Sequence, residues 1–155
     1  MEILTEHAIR AAQQEWGDAI VRLGQIHRNG GPIREEAIAC INHLYSTQDG
    51  RILFKPTMAA EAPFRSTVED ALSYFIGGDP DFPEDAGFAR QSWIAVRFEN
   101  HAMTFLADAV LAMGHYFFMN QDNVETKAEY SFVYVCDSSG HLRIKLHHSS
   151  FPFSP

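Results

Sequence analysis

The sequence predicts an α+β fold: three helices packed on a strongly curved, mostly antiparallel sheet. Three observations predict it. Through the first half of the chain, apolar residues recur at spacings of three and four, the period of an amphipathic helix. From Ser92 onward they alternate with polar residues at a period of two, as strands with two unlike faces do. Clusters of Gly, Asn, Asp and Pro separate the periodic runs. Helices followed by an antiparallel meander place the helices over one face of the sheet.

The first helix is predicted over Thr5 to Arg28, with Ile9, Ala12, Trp16, Ile20, Leu23 and His27 on one side. Asn29-Gly30-Gly31 stops it, and Pro32 suits the first turn of the next. That second helix, Ile33 to Tyr45, carries Ala37, Ile38, Ile41, Leu44 and Tyr45 on its apolar side. Gln48-Asp49-Gly50 turns into a short strand, Ile52 to Lys55, which Pro56 ends. A third helix starts at a capping box read as Ser66-Thr67-Val68-Glu69 and stops at Gly77-Gly78. Asp79 to Gly87, rich in acid and proline, reads as a solvated loop without calcium-loop spacing.

Among the strands, Trp93 to Glu99 alternates, Asn100-His101 turns, and Ala102 to Leu106 returns. Ala109 to Met119 is apolar on both faces: Val110, Ala112, Gly114 and Tyr116 oppose Leu111, Met113, His115 and Phe117. A strand of that kind is covered twice, by helices and by a partner subunit. His115, with no acid near it in sequence, reads as structural.

The closing hairpin runs from Glu129 to the end. Tyr130, Phe132, Tyr134 and Cys136 share one face of its first strand. After the turn at Asp137 to Gly140, Leu142, Ile144, Leu146 and His148 alternate with Arg143, Lys145 and His147. Regular alternation therefore sends His148 to the apolar side and His147 to the polar side.

Composition narrows the function. The 155 residues suit one domain, 1–155, with its own core, and no repeat or linker interrupts them. A formal charge of -8 with only 12 Lys and Arg argues against a nucleic-acid partner. Twelve Phe, five Tyr and two Trp make the interior aromatic. Cys40 and Cys136 sit among apolar neighbours and read as buried thiols. The first residues lack the basic start and apolar run of a signal peptide, and no stretch approaches the roughly 20 apolar residues of a membrane helix. A cytoplasmic protein without membrane contact is expected.

The order helix, helix, short strand, helix, then long antiparallel strands resembles the nuclear transport factor 2-like (cystatin-like) superfamily over the whole chain. Within it the chain is most similar to the association domain of calcium/calmodulin-dependent protein kinase II and its stand-alone bacterial relatives. Leu53-Phe54-Lys55-Pro56-Thr57, Ala71 to Phe75, Val96 to Asn100 and His147-His148-Ser149-Ser150 carry that similarity. The resemblance implies a sheet curved into a cone with a pocket, and self-association as a homodimer or larger ring. It implies no kinase activity, because no glycine-rich nucleotide loop is present. The superfamily also contains isomerases, dehydratases and cyclases, so the fold alone leaves the function open.

Five residues are candidates for the pocket. His148, near a strand end, is a candidate general base or ligand anchor, against the reading of a core histidine bonded to a neighbouring oxygen. Tyr130 is placed to orient a substrate, or is core with a satisfied hydroxyl. Arg97 suits a carboxylate or phosphate ligand, unless it forms an ion pair with Glu99 or Glu129. Trp16 and Tyr45 supply walls, or plain core. Eight histidines invite a metal reading, but neither His-x-His on the last strands nor His-Glu-x-x-His on a helix occurs. Neither a metal nor a cofactor is predicted, and no nucleophile motif is found.

The expectation is a stand-alone homo-oligomeric domain that binds a small polar or anionic ligand in its cone. The alternative is an isomerase or dehydratase acting on a small hydrophobic acid or ketone. In it His148 is the general base, Tyr130 orients the substrate and Arg97 holds a negative group.

Overall fold

The computed structural model describes residues 4–155. Helices α1 (Glu6–Arg28) and α2 (Ile33–Leu44) are followed by strands β1 (Arg51–Lys55) and β2 (Arg65–Thr67), then helix α3 (Val68–Ile76). Strands β3 (Ala95–Phe105), β4 (Ala109–Met119), β5 (Glu125–Cys136) and β6 (Leu142–Ser150) complete the chain. The sheet order is β2-β1-β6-β5-β4-β3. Every pairing is antiparallel except β1 with β6, which run parallel. The expected α+β architecture is therefore present, with a sheet that is mixed and open. Among the described residues no helix is long and apolar enough to cross a membrane.

The helices form where periodicity and caps predict. Thr5 caps α1, its hydroxyl accepting from the Ala8 amide at 3.1 Å. The buried side of α1 is Ile9, Trp16, Ile20 and Leu23. Gly17 lets it lie against β3, because a Cβ there would stand 3.1 Å from Val96 Cβ. The capping box of α3 sits one residue later than expected. Thr67, not Ser66, is the cap, and Asp70, not Glu69, returns the bond. The short strand β2 just before it carries too little pattern to be seen in the sequence.

Two bulges bend the sheet. Asn100-His101 is not a turn: β3 is one continuous strand in which Asn100 opposes Gly114, Ala102 opposes Met113, and His101 is extra. An extra residue kinks a strand and increases its twist. Gly114 makes room for it, since a Cβ there would collide with the Glu99 carbonyl oxygen. The second bulge is in β6. Val133 opposes Leu146 and Tyr134 opposes Ile144, leaving Lys145 unmatched. Past Lys145 the alternation of β6 is inverted, so His147 and Ser149 are buried while His148 is exposed.

Between helices and sheet lies an aromatic core in which Trp16, Phe132, Tyr116 and Phe118 touch edge to face or stacked. The acidic loop does not simply face water. Asp85 is buried and accepts two bonds from Arg65, at 2.7 and 2.8 Å, and one from the Ser73 hydroxyl at 2.6 Å. Next to it, the Glu84 carboxylate accepts from the amides of Ala60, Glu61 and Ala62. Those amide bonds hold its pKa below the usual carboxylate value. Together they tether the segment after β1 to the loop after α3. Cys40 is buried, Cys136 half-buried, and both are free thiols.

Candidate functional site

A row of polar side chains crosses the aromatic core where α1, the end of α2, β1, β4 and β6 meet. Trp16, on the buried side of α1, donates from Nε1 to the Tyr45 hydroxyl at 3.0 Å. Tyr45 follows α2 directly and is fixed by a parallel bridge to Ile144, beside the β6 bulge. The Ser46 amide secures that bridge by donating to the Ile144 carbonyl at 2.8 Å. This brings the Tyr45 hydroxyl 2.8 Å from His147 Nδ1. On the other side of the ring, His147 Nε2 lies 3.1 Å from the Tyr116 hydroxyl of β4. Tyr116 donates to the hydroxyl of Ser149, which is bonded in turn to Thr57. Lys55 helps to place Ser149 by donating to its carbonyl at 2.8 Å.

The row borders a small cavity whose other walls include Phe54, Phe75, Phe88 and Phe118. Its free volume is about 10 Å³, on the order of one water molecule. The groups facing it are uncharged. Burial, with His148 adding a minor repulsion, pushes the His147 pKa down to about 3, so the imidazole is neutral near pH 7. Burial raises Tyr45 and Tyr116 far above the usual phenol value. Tyr74, beside the cavity, is pushed up to about 12 by the same cause. Each tyrosine is thus a hydrogen-bond donor rather than a phenolate. What this arrangement can do is hold a small molecule against rings on one side and give hydrogen bonds to its oxygens on the other.

Of the five residues expected at the pocket, Trp16 and Tyr45 belong to the row. The other three stand elsewhere. His148 was expected inward; the Lys145 bulge turns it to the outer sheet face, where it borders a shallow depression with His101, His115 and Glu129. Arg97 does not project into the cone either. It lies on the outer face, paired with Glu99 at 2.6 Å and Glu125 at 3.0 Å and stacked over Phe117. Glu99 is one of the two expected ion-pair partners; Glu125, which lies diagonally across β4 from Arg97 in line with Ala95, takes the place of Glu129. Tyr130 is buried on the inner face, but its hydroxyl donates to Asn100, which exchanges bonds with Gln13, and does not reach His147. The isomerase reading thereby loses its base, since His148 points away from the cavity.

His147, Tyr116, Ser149 and Thr57 were not singled out from the sequence. Tyr116 lies on a strand whose two faces are equally apolar in the sequence, and Ser149 shares a strand face with His147 at a spacing of two. Thr57 had no local signal. It arrives through the parallel pairing of β1 with β6, a long-range contact.

A curved mixed sheet under three helices, enclosing a small polar-and-aromatic cavity, defines a nuclear transport factor 2-like domain. A putative calcium/calmodulin-dependent protein kinase II association domain from Xanthomonas campestris shares this fold, with a TM-score of 0.60 at 21% identity over 100% of this chain and 94% of that one. Residues 7–151 match the metal-independent carbonic anhydrase family. The chain belongs to that family. A metal-independent carbonic anhydrase of Nostoc sp. (strain PCC 7120 / SAG 25.82 / UTEX 2576) is 37% identical over 153 residues, spanning 97% of this chain and 75% of the relative. The crystal structure of a cyanobacterial iota-carbonic anhydrase complexed with bicarbonate superposes with a TM-score of 0.94 at 35% identity, covering 98% of this chain and 94% of that one. The small anion that a solved relative carries is bicarbonate.

Proposed function

We propose that this chain interconverts carbon dioxide and bicarbonate at the cavity bordered by Thr57, Tyr116, His147 and Ser149, which widens beyond its one-water volume to admit them. The observation that carries the reading is the hydroxyl row facing an aromatic wall. Carbon dioxide has no dipole and suits the phenylalanine side, whereas bicarbonate carries charged oxygens and suits the hydroxyl side. In the forward direction a water oxygen forms a bond to the carbon, one C=O electron pair moves onto oxygen, and a proton leaves to solvent. Negative charge grows on oxygen as that happens. Fixed O–H donors in a site that excludes water stabilise such charge more than solvent does. Membership of a metal-independent family and the bicarbonate of a solved relative support the assignment.

The test is oxygen-isotope exchange between carbon dioxide and water, followed with purified protein in excess chelator. Exchange above the buffer rate is expected, reduced about a hundredfold by Ser149→Ala. Exchange no faster than buffer alone would refute the proposal.

The same protein is proposed to self-associate through its outer sheet face. There Leu111 and Met113 are 41% and 52% exposed, beside His115 and Phe117. Apolar patches of this kind mark interfaces. Sedimentation of a monomer at micromolar concentration would sink this part.

A further inference from the structure

One end of the hydrogen-bond row cannot reverse. An indole N–H donates and never accepts, so Trp16 gives its hydrogen to the Tyr45 oxygen 3.0 Å away. The other partner of that hydroxyl is His147 Nδ1 at 2.8 Å. Suppose Nδ1 carried the ring proton. The Tyr45 oxygen would then receive two donors, and its own O–H, buried in the core, would be left without an acceptor. With Nδ1 bare, Tyr45 donates to it and every atom is satisfied, which is how buried polar groups are found.

The choice propagates. The proton of neutral His147 sits on Nε2 and is donated to Tyr116 at 3.1 Å. Tyr116 passes its own hydrogen to Ser149, and full satisfaction of the row then sends the Ser149 hydrogen to its remaining partner, Thr57. We infer that Trp16 and Tyr45 are positioning residues: they lock His147 in its Nε2–H tautomer and orient the whole row outward. Thr57, whose hydroxyl also meets that of Tyr74, stands at the half-buried end of the row. This rests on the carbonic anhydrase reading only in what the orientation is for: hydrogens directed outward along the row favour an anionic oxygen, that of bicarbonate, at its end.

The tautomer is measurable without turnover. Nitrogen-15 chemical shifts distinguish a protonated from a bare imidazole nitrogen, and the protein is labelled and kept free of bicarbonate. In the wild type the expected result is a bare Nδ1 and a protonated Nε2 on His147. In Tyr45→Phe, Nδ1 loses its donor. A mixture of tautomers is expected, with bicarbonate binding, titrated by the same shifts, weakened about tenfold. A proton on Nδ1 in the wild type overturns the inference, and that measurement needs no variant to fold. A folded Tyr45→Phe with unchanged tautomer and unchanged bicarbonate affinity overturns it as well. The two proposals fail separately. Nε2–H in a protein that exchanges no carbon dioxide defeats the enzymatic reading alone, and Nδ1–H in an active protein defeats the row polarity alone.

Discussion

His147 stands directly opposite Phe132 across the β5–β6 ladder, with ring centroids 4.3 Å apart. That contact exists because Lys145 is unmatched two residues earlier, and it decides which of two adjacent histidines meets the cavity. The identity of the inward histidine is open to direct test.

His148→Ala is expected to leave carbon dioxide exchange within about twofold of wild type, because the side chain faces outward. His147→Ala is expected to lower it about a hundredfold or more, in the range found when a positioned polar group is removed. Comparable losses in both variants would contradict the assignment.

Arg97→Ala should behave like His148→Ala. Its guanidinium is engaged by Glu99 and Glu125 on the outer face, so bicarbonate affinity is expected to be unchanged. A weakened Kd for bicarbonate would return Arg97 to the site.

Acid should destabilise the fold through His147. Burial holds its folded pKa at about 3, whereas an unburied imidazole titrates near 6.5. Below 6.5 the unfolded chain gains a proton that the folded chain refuses, so this contribution is complete above 6.5 and is lost as pH falls toward 3. The slope is about 1.4 kcal/mol per pH unit, or about 2 kcal/mol between about pH 7 and about pH 5. Urea unfolding at the two pH values measures it, and His147→Asn is expected to remove that share of the difference.

Arg65→Met would leave Asp85 charged and unpaired in the core, where both side chains are 0% exposed. The expected cost is about 3–5 kcal/mol. Replacing both, with Met and Leu, should cost much less than the single change. Urea midpoints of the two variants decide it.

Gly114→Ala would drive a methyl group against the Glu99 carbonyl oxygen of the β3 bulge. A loss of about 1–3 kcal/mol or more is expected, read from thermal unfolding. A neutral effect would show that the bulge rearranges freely.

Much of the architecture was legible because periodicity and caps act locally: α1, α2 and the alternation of β4 follow from spacing alone, whereas which face of β4 is inward does not. The site was less legible, for a specific reason. In β6 the alternation of Leu142, Ile144 and Leu146 points His148 inward, but Ile144 is buried whereas Leu146 is only half-buried, on the outer face. Two histidines side by side offer no hydrophobic contrast to reveal the slip. What sets the bulge is tertiary: the segment after α2 docks on Ile144 through Tyr45 and Ser46. For Arg97 the sequence offers both a ligand and an ion pair with Glu99, and the structure has the ion pair; its second acid, Glu125, is known only from the cross-sheet pairing.

The tether between the segment after β1 and the loop after α3 bears on where Thr57 is held. Thr57 sits between strand β1 and the three amides that Glu84 grips, and the buried Arg65–Asp85 pair anchors the same two segments. The place of its hydroxyl is therefore set by ion pairs and amide bonds a turn or more away, so that damage to a distant carboxylate is felt at the cavity.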